Sequence, residues 1–174
     1  MNRRLLAALV ATALALATWV NSLFPSAESA YQRPFEFTAT AAPTVGKPEV
    51  LDVQGFSEIN GVSTTAVFLA VGFRTVPGPE FLALDTELTD GQGRALLPFG
   101  RSENCSQGEP GVALECVVFF EVEPSAVTGS ELRVRSTPGE SGTAVAVVDL
   151  GIDEDRAATI VDNAAPVTSD KVMM

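Results

Sequence analysis

The 174-residue chain contains no histidine. That removes the imidazole base on which Ser-His-Asp and Cys-His nucleophile systems depend. It also removes His-based zinc and copper sites. Cysteine is scarce, and Cys105 with Cys116 can build neither a closed zinc site nor a four-thiolate cluster. Basic residues number 11 against 22 acidic ones. Neither Lys47 nor Lys171 follows the glycines of a phosphate-cradling loop, and no Ser-x-x-Lys pair occurs. The single Trp and single Tyr, Trp19 and Tyr31, both precede the body of the chain. A stacked sugar platform or a Tyr-rich paratope is therefore not expected. Gly139-Glu140-Ser141-Gly142 begins like a nucleophile elbow, but Thr143 stands where the last glycine belongs. It reads as a turn.

Charge is also missing from one long stretch, and there the absence is informative. Arg3 and Arg4 precede the uncharged run Leu5 to Phe24, and every Asp and Glu follows it, beginning at Glu28. A cationic tip, an apolar segment of helix length and an acidic remainder read as a chain threaded through a membrane, with its bulk outside the cytoplasm. Two readings of residues 1–24 compete. A cleaved signal peptide has an apolar centre, here Leu5 to Ala17, and small residues before the cut, here Ala27 and Ser29. A retained signal anchor needs about 20 residues to cross the hydrocarbon layer. Leu5 to Phe24 supplies that length, with Trp19 and Phe24 near the outer interface and Pro25 ending the helix. The anchor is preferred. No cysteine near the leader offers a lipid attachment point, and Asn2 with the leucines makes a weak twin-Arg signal.

Removing Arg3 and Arg4 from the 11 basic residues leaves 9 against 22 acidic, a balance of −13. Such a surface is repelled by nucleic acid and by anionic headgroups. Residues 25–34 read as a linker. In an exported protein, Cys105 and Cys116 are expected to pair as a disulfide, closing a loop with ten residues between them.

Beyond the linker the dominant period is two. Leu114, Cys116, Val118, Phe120 and Val122 line one face of a strand, and Glu115, Glu121 and Glu123 the other. Thr65, Val67, Leu69, Val71 and Phe73 share a face, with Phe68 and small residues opposite. Leu82, Leu84 and Leu88 oppose Asp85 and Glu87; that strand, the Asp90–Gly93 turn and Ala95–Pro98 predict a hairpin. Val50–Gln54, Leu132–Arg135 and Ala144–Leu150 complete a set of short strands punctuated by Pro77-Gly78-Pro79, Gly108–Gly111 and Pro138-Gly139. That spacing predicts an all-β sandwich or barrel over residues 35–152. Asp153 can cap a short helix, with Glu154 and Asp155 suited to its positive end. Residues 153–174 thus read as that helix and a loose tail ending in Val172-Met173-Met174.

Phe68-Leu-Ala-Val-Gly-Phe73, Leu88-Thr-Asp-Gly-Gln-Gly93, and Pro110-Gly111 followed by Val117–Pro124 carry a likeness. Together they resemble a family of bacterial extracytoplasmic immunoglobulin-like domains of unknown function, related to the mycobacterial immunoprotective extracellular antigen. The resemblance spans Val50 to Leu150. It implies an immunoglobulin-like antiparallel β-sandwich and an address outside the cytoplasm, and it implies no activity. Many such domains hang from a lipidated cysteine, whereas this chain has a helix-length segment there.

Carboxylates and arginines remain as site candidates. Asp149, Asp153, Glu154 and Asp155 form the densest acidic cluster, and Asp149, Asp153 and Asp155 could hold Ca²⁺, although no Asp-x-Asp-x-Asp-Gly loop is present. A helix cap with solvated charge is the simpler reading. Asp85 and Glu87 read as exposed alternating charge rather than an acid/base pair. Arg133 and Arg135 can grip an anionic group, or pair across strands with Glu121 or Glu123. The expected role is a non-enzymatic accessory or interaction domain without cofactor. It is expected to be held at the cell envelope by its N-terminal helix and to bind another envelope protein or a ligand. The alternatives are a secreted soluble protein and a Ca²⁺-dependent module.

Overall fold

A computed structural model describes residues 37–79, 83–100, 105, 109–137 and 144–168. The chain divides into two units, Met1–Phe35 and Glu36–Met174, and the first lies wholly outside the described residues.

Among the described residues nine strands form two sheets. They are β1 (Phe37–Ala39), β2 (Glu49–Ile59), β3 (Val62–Thr75), β4 (Ala83–Thr89), β5 (Ala95–Leu96), β6 (Leu114–Val122), β7 (Glu131–Thr137), β8 (Ala144–Asp149) and β9 (Ala165–Val167). One sheet has the order β1-β8-β7-β4-β5, the other β6-β3-β2-β9. All pairings are antiparallel except β1 with β8 and β2 with β9. Val53, Val67, Leu69, Val71, Phe73, Val118 and Phe120 of one sheet share a single apolar core with Leu88, Leu132, Val134 and Ala146 of the other. The architecture is a β-sandwich.

Local chemistry sets the register. β2 turns into β3 through Asn60-Gly61, both at positive φ (51° and 82°), as a two-residue hairpin turn requires. Alternation then puts Val67 to Phe73 of β3 opposite Val122 to Cys116 of β6. The apolar faces read from the sequence for both strands are the core-facing ones. The predicted β4–β5 hairpin is present, with Leu88 opposite Leu96. β3 is buried on its outward side as well: Phe68 is 1% exposed and Ala70 3%. The Phe99 ring lies 4.7 Å from that of Phe68, so a small apolar layer covers this part of the outer face.

The helix α1 (Glu154–Asp162) has Asp153 as its N-cap, accepting from the Arg156 amide at 2.8 Å, and Glu154 and Asp155 in its first turn. Ala157 and Ile160 enter the shared core. Gly55 of β2 lets the helix approach: a Cβ there would sit 2.5 Å from the Ile160 carbonyl oxygen and 2.7 Å from its Cγ2. The start of the segment read as a loose tail is instead part of the sandwich, because Ala165–Val167 pairs with β2 as a further strand. Residues 169–174, Val172 to Met174 among them, lie outside the described residues.

Candidate functional site

Cys116 faces inward from β6, opposite Phe73, and Cys105 enters the same core from the segment between β5 and β6. Each is 2% exposed. The structure does not show the expected disulfide: no bond joins the two sulfurs. They are nonetheless neighbours. A hydrogen bond with the Cys105 thiol, reinforced by burial, pushes the Cys116 thiol well above the ordinary cysteine range. Folding has delivered the chain's two sulfurs to one place without joining them.

The acidic cluster does not converge. One Asp149 carboxylate oxygen accepts from the Gly151 amide at 2.8 Å, and Asp153 caps α1. Arg156 runs back to donate to the carbonyls of Leu150 and Gly151 at 3.2 and 3.3 Å. Among the described residues no group of three or more His, Cys, Asp or Glu side chains could hold a metal ion. Asp149, Asp153 and Asp155 shape the entry into the helix, each at its own backbone position.

Arg133 and Arg135 do not reach Glu121 or Glu123. Glu121 lies on β6 in the other sheet and Glu123 just beyond that strand, whereas β7 pairs with β4. Arg133 bridges Glu87 at 3.4 Å and Arg135 bridges Asp85 at 2.7 Å, in register across the two strands. Asp85 and Glu87 are therefore cross-strand partners of the arginines, and all four side chains are half-buried. Glu121 instead accepts from the Thr64 hydroxyl, and Glu123 from Arg94.

A densely bonded polar group lay unmarked as a site in the sequence. Asp90, at the β4–β5 turn, has a fully buried side chain. Its Oδ1 accepts from the amides of Gln92 and Arg94, both at 2.9 Å, and its Oδ2 from Arg94 Nε at 2.7 Å. Burial alone would raise its pKa. The Arg94 amide, the Arg94 guanidinium and the Gln92 amide outweigh it, so the carboxyl titrates below its ordinary value. Arg94 continues to Glu123 at 3.1 Å, and the Gly91 amide donates to Ala126. The hairpin turn is thereby tied to the 3₁₀ turn Pro124–Ala126 that follows β6. The turn signal Asp90-Gly-Gln-Gly93 was visible; that its carboxylate is a buried hub was not.

Comparison of the chain with family models, curated proteins and solved structures finds no match. Arg3, Arg4, Leu5, Trp19 and Phe24 lie outside the described residues, as do Gly139 to Thr143. Among the described residues no helix is long and apolar enough to cross a membrane.

Proposed function

We propose that the protein is an extracytoplasmic interaction domain, tethered to the cell membrane by its N-terminal apolar segment and engaging another envelope protein without doing chemistry on it. The observation that carries this reading is the order of its parts. A cationic tip and an uncharged run long enough to span a bilayer precede an acidic β-sandwich. Tethering confines the sandwich to a thin shell and raises its effective concentration toward membrane neighbours. The clustered ionic side chains support a binding role over a catalytic one, because they are engaged in the sandwich itself. Asp90 holds a turn, Asp153 caps a helix, and Arg133 and Arg135 zip two strands.

The finer fold reading is immunoglobulin-like, and the strand order supports it. Lettering β2, β3, β4, β5, β6, β7 and β8 as A, B, C, C′, E, F and G gives one sheet A-B-E and the other G-F-C-C′. β1, parallel to β8, and β9, parallel to β2, are additions at the two sheet edges. The inter-sheet disulfide and core Trp of antibody domains have no counterpart, since Cys116 lies on β6 and Trp19 precedes the sandwich.

Crosslinking in intact native membranes, followed by identification of the captured neighbours, tests the interaction. Reproducible capture of envelope proteins is expected; turnover of a substrate by the purified protein would overturn the non-catalytic reading. Alkaline extraction and external proteolysis of whole cells test the address. The expected result is a membrane-retained chain whose body is cleaved from outside. A released form starting near Ala30 would replace the anchor with a secreted protein, and an intact chain free in the cytosol would overturn export altogether.

A further inference from the structure

The chain has two cysteines, and folding places both in the same core, each 2% exposed, with a hydrogen bond between their thiols. As small apolar fillers they would have no reason to be neighbours. Cys116 sits in the β3–β6 ladder opposite Phe73, itself 0% exposed. Cys105 reaches it from the stretch that joins β5 to β6. This is a preassembled dithiol closed off from solvent.

We propose that Cys105 and Cys116 are the substrate of a thiol–disulfide exchange reaction that must act before the core closes. The redox state of the pair is then fixed at folding and preserved afterwards. The inference rests on the proposed export, because an oxidising compartment supplies the small-molecule or protein disulfide that serves as oxidant.

The chemistry balances in two displacements. One cysteine loses its proton and its thiolate attacks a sulfur of the oxidant R–S–S–R, forming a mixed disulfide and expelling one R–S⁻. The second cysteine, deprotonated in turn, attacks the protein sulfur of that mixed disulfide and expels the second R–S⁻. The two protons end on the two R–SH released, and the two electrons reduce the oxidant. Each displacement needs a thiolate and room for an incoming sulfur roughly in line with the breaking bond. The folded protein denies both. Neither sulfur has appreciable exposure, and the Cys116 thiol is held protonated by its neighbour and its burial. The unfolded chain denies neither. Once formed, the bond constrains the unfolded ensemble and stabilises the sandwich. The same burial that blocks oxidation of the dithiol then blocks reduction of the disulfide.

The test uses the full-length chain, reduced and kept soluble in mild detergent, in a glutathione redox buffer. One sample is folded before the buffer is added; the other is refolded from denaturant within it. Mass spectrometry after alkylation reads the thiols. The refolded sample is expected to lose two hydrogens and both alkylation sites. The prefolded sample is expected to stay a dithiol, oxidising at a rate that rises with denaturant in step with global unfolding. The oxidised form should melt several degrees above the reduced one. Oxidation of the prefolded sample as fast as the denatured one would overturn the closed-pair inference. A refolded chain that keeps both alkylation sites would overturn the disulfide itself. Neither outcome bears on export, which is read separately: a chain that bonds readily in vitro but is recovered from cells with both thiols alkylatable would count against the proposed address.

Discussion

At the scale of single residues, Asp90 organises the β4–β5 turn. Three donors converge on a carboxylate from which water is excluded, and hydrogen bonds to a charged acceptor contribute about 1.5–3 kcal/mol each in such settings. Asp90→Ala is expected to destabilise the fold by about 2–3 kcal/mol in urea unfolding, with the m-value unchanged. A pH dependence follows from the lowered pKa. Because the folded value lies below the ordinary 3.8, the unfolded chain binds the proton first as pH falls. The Asp90 contribution is therefore full above that ordinary value and lost as pH drops through the folded one. Wild type should lose stability over this acidic window more steeply than Asp90→Asn, which has no proton to take up there. Parallel slopes would show that Asp90 is not the group responsible. The exposed ion pairs are weaker by the same reasoning: Arg74, bridging Glu49 at 3.2 Å and Glu115 at 3.9 Å, is screened by solvent.

At the scale of elements, alternation is the governing rule, and it was readable wherever a strand is long and half-buried. Neighbouring phenylalanines on β6 test it directly. Phe120 points into the core at 0% exposure, whereas Phe119 points outward and is half-buried. Phe120→Ala should cost about 3–5 kcal/mol, and Phe119→Ala clearly less. Equal losses would mean that the outer layer around Phe68 and Phe99 is a second core of comparable weight. The helix offers another test. Gly55→Ala inserts a methyl where the Ile160 carbonyl stands, and α1 must shift; a cost of about 1–3 kcal/mol and faster amide exchange in Glu154–Asp162 are expected. β1 and β9 were not legible. Each has three residues, and β9 contains Pro166, so neither carries an alternating pattern long enough to register. They are strands because β8 and β2 offer free edges for them to pair with.

At the scale of the whole molecule, net negative charge and a divided set of cations dominate. The described arginines are engaged: Arg74, Arg94, Arg133 and Arg135 in ion pairs and Arg156 at a helix entrance. A surplus of carboxylates is left facing solvent. Among the described residues that surplus forms no group able to chelate a metal ion, so millimolar Ca²⁺ should leave the melting temperature unchanged. A site that bound only the folded state would raise it by mass action. A clear upward shift, abolished by Asp149→Asn, would restore the Ca²⁺-dependent alternative.

Composition and periodicity alone determined a great deal: an all-β body, the inward faces of β3, β4 and β6, the β4–β5 hairpin and the capped helix. These are local properties, set by side-chain alternation, turn residues and a cap, and each is complete within about a dozen residues. Which strands become neighbours is not local. β4 joins β7, across more than forty intervening residues, and that choice gave Arg133 and Arg135 the partners Glu87 and Asp85 in place of Glu121 and Glu123. The same global packing buried Asp90, drew α1 and β9 into the sandwich, and set Cys105 beside Cys116 without joining them. Such contacts arise only when two sheets must close on one apolar core, because that closure selects among strand orders that the linear pattern leaves equivalent.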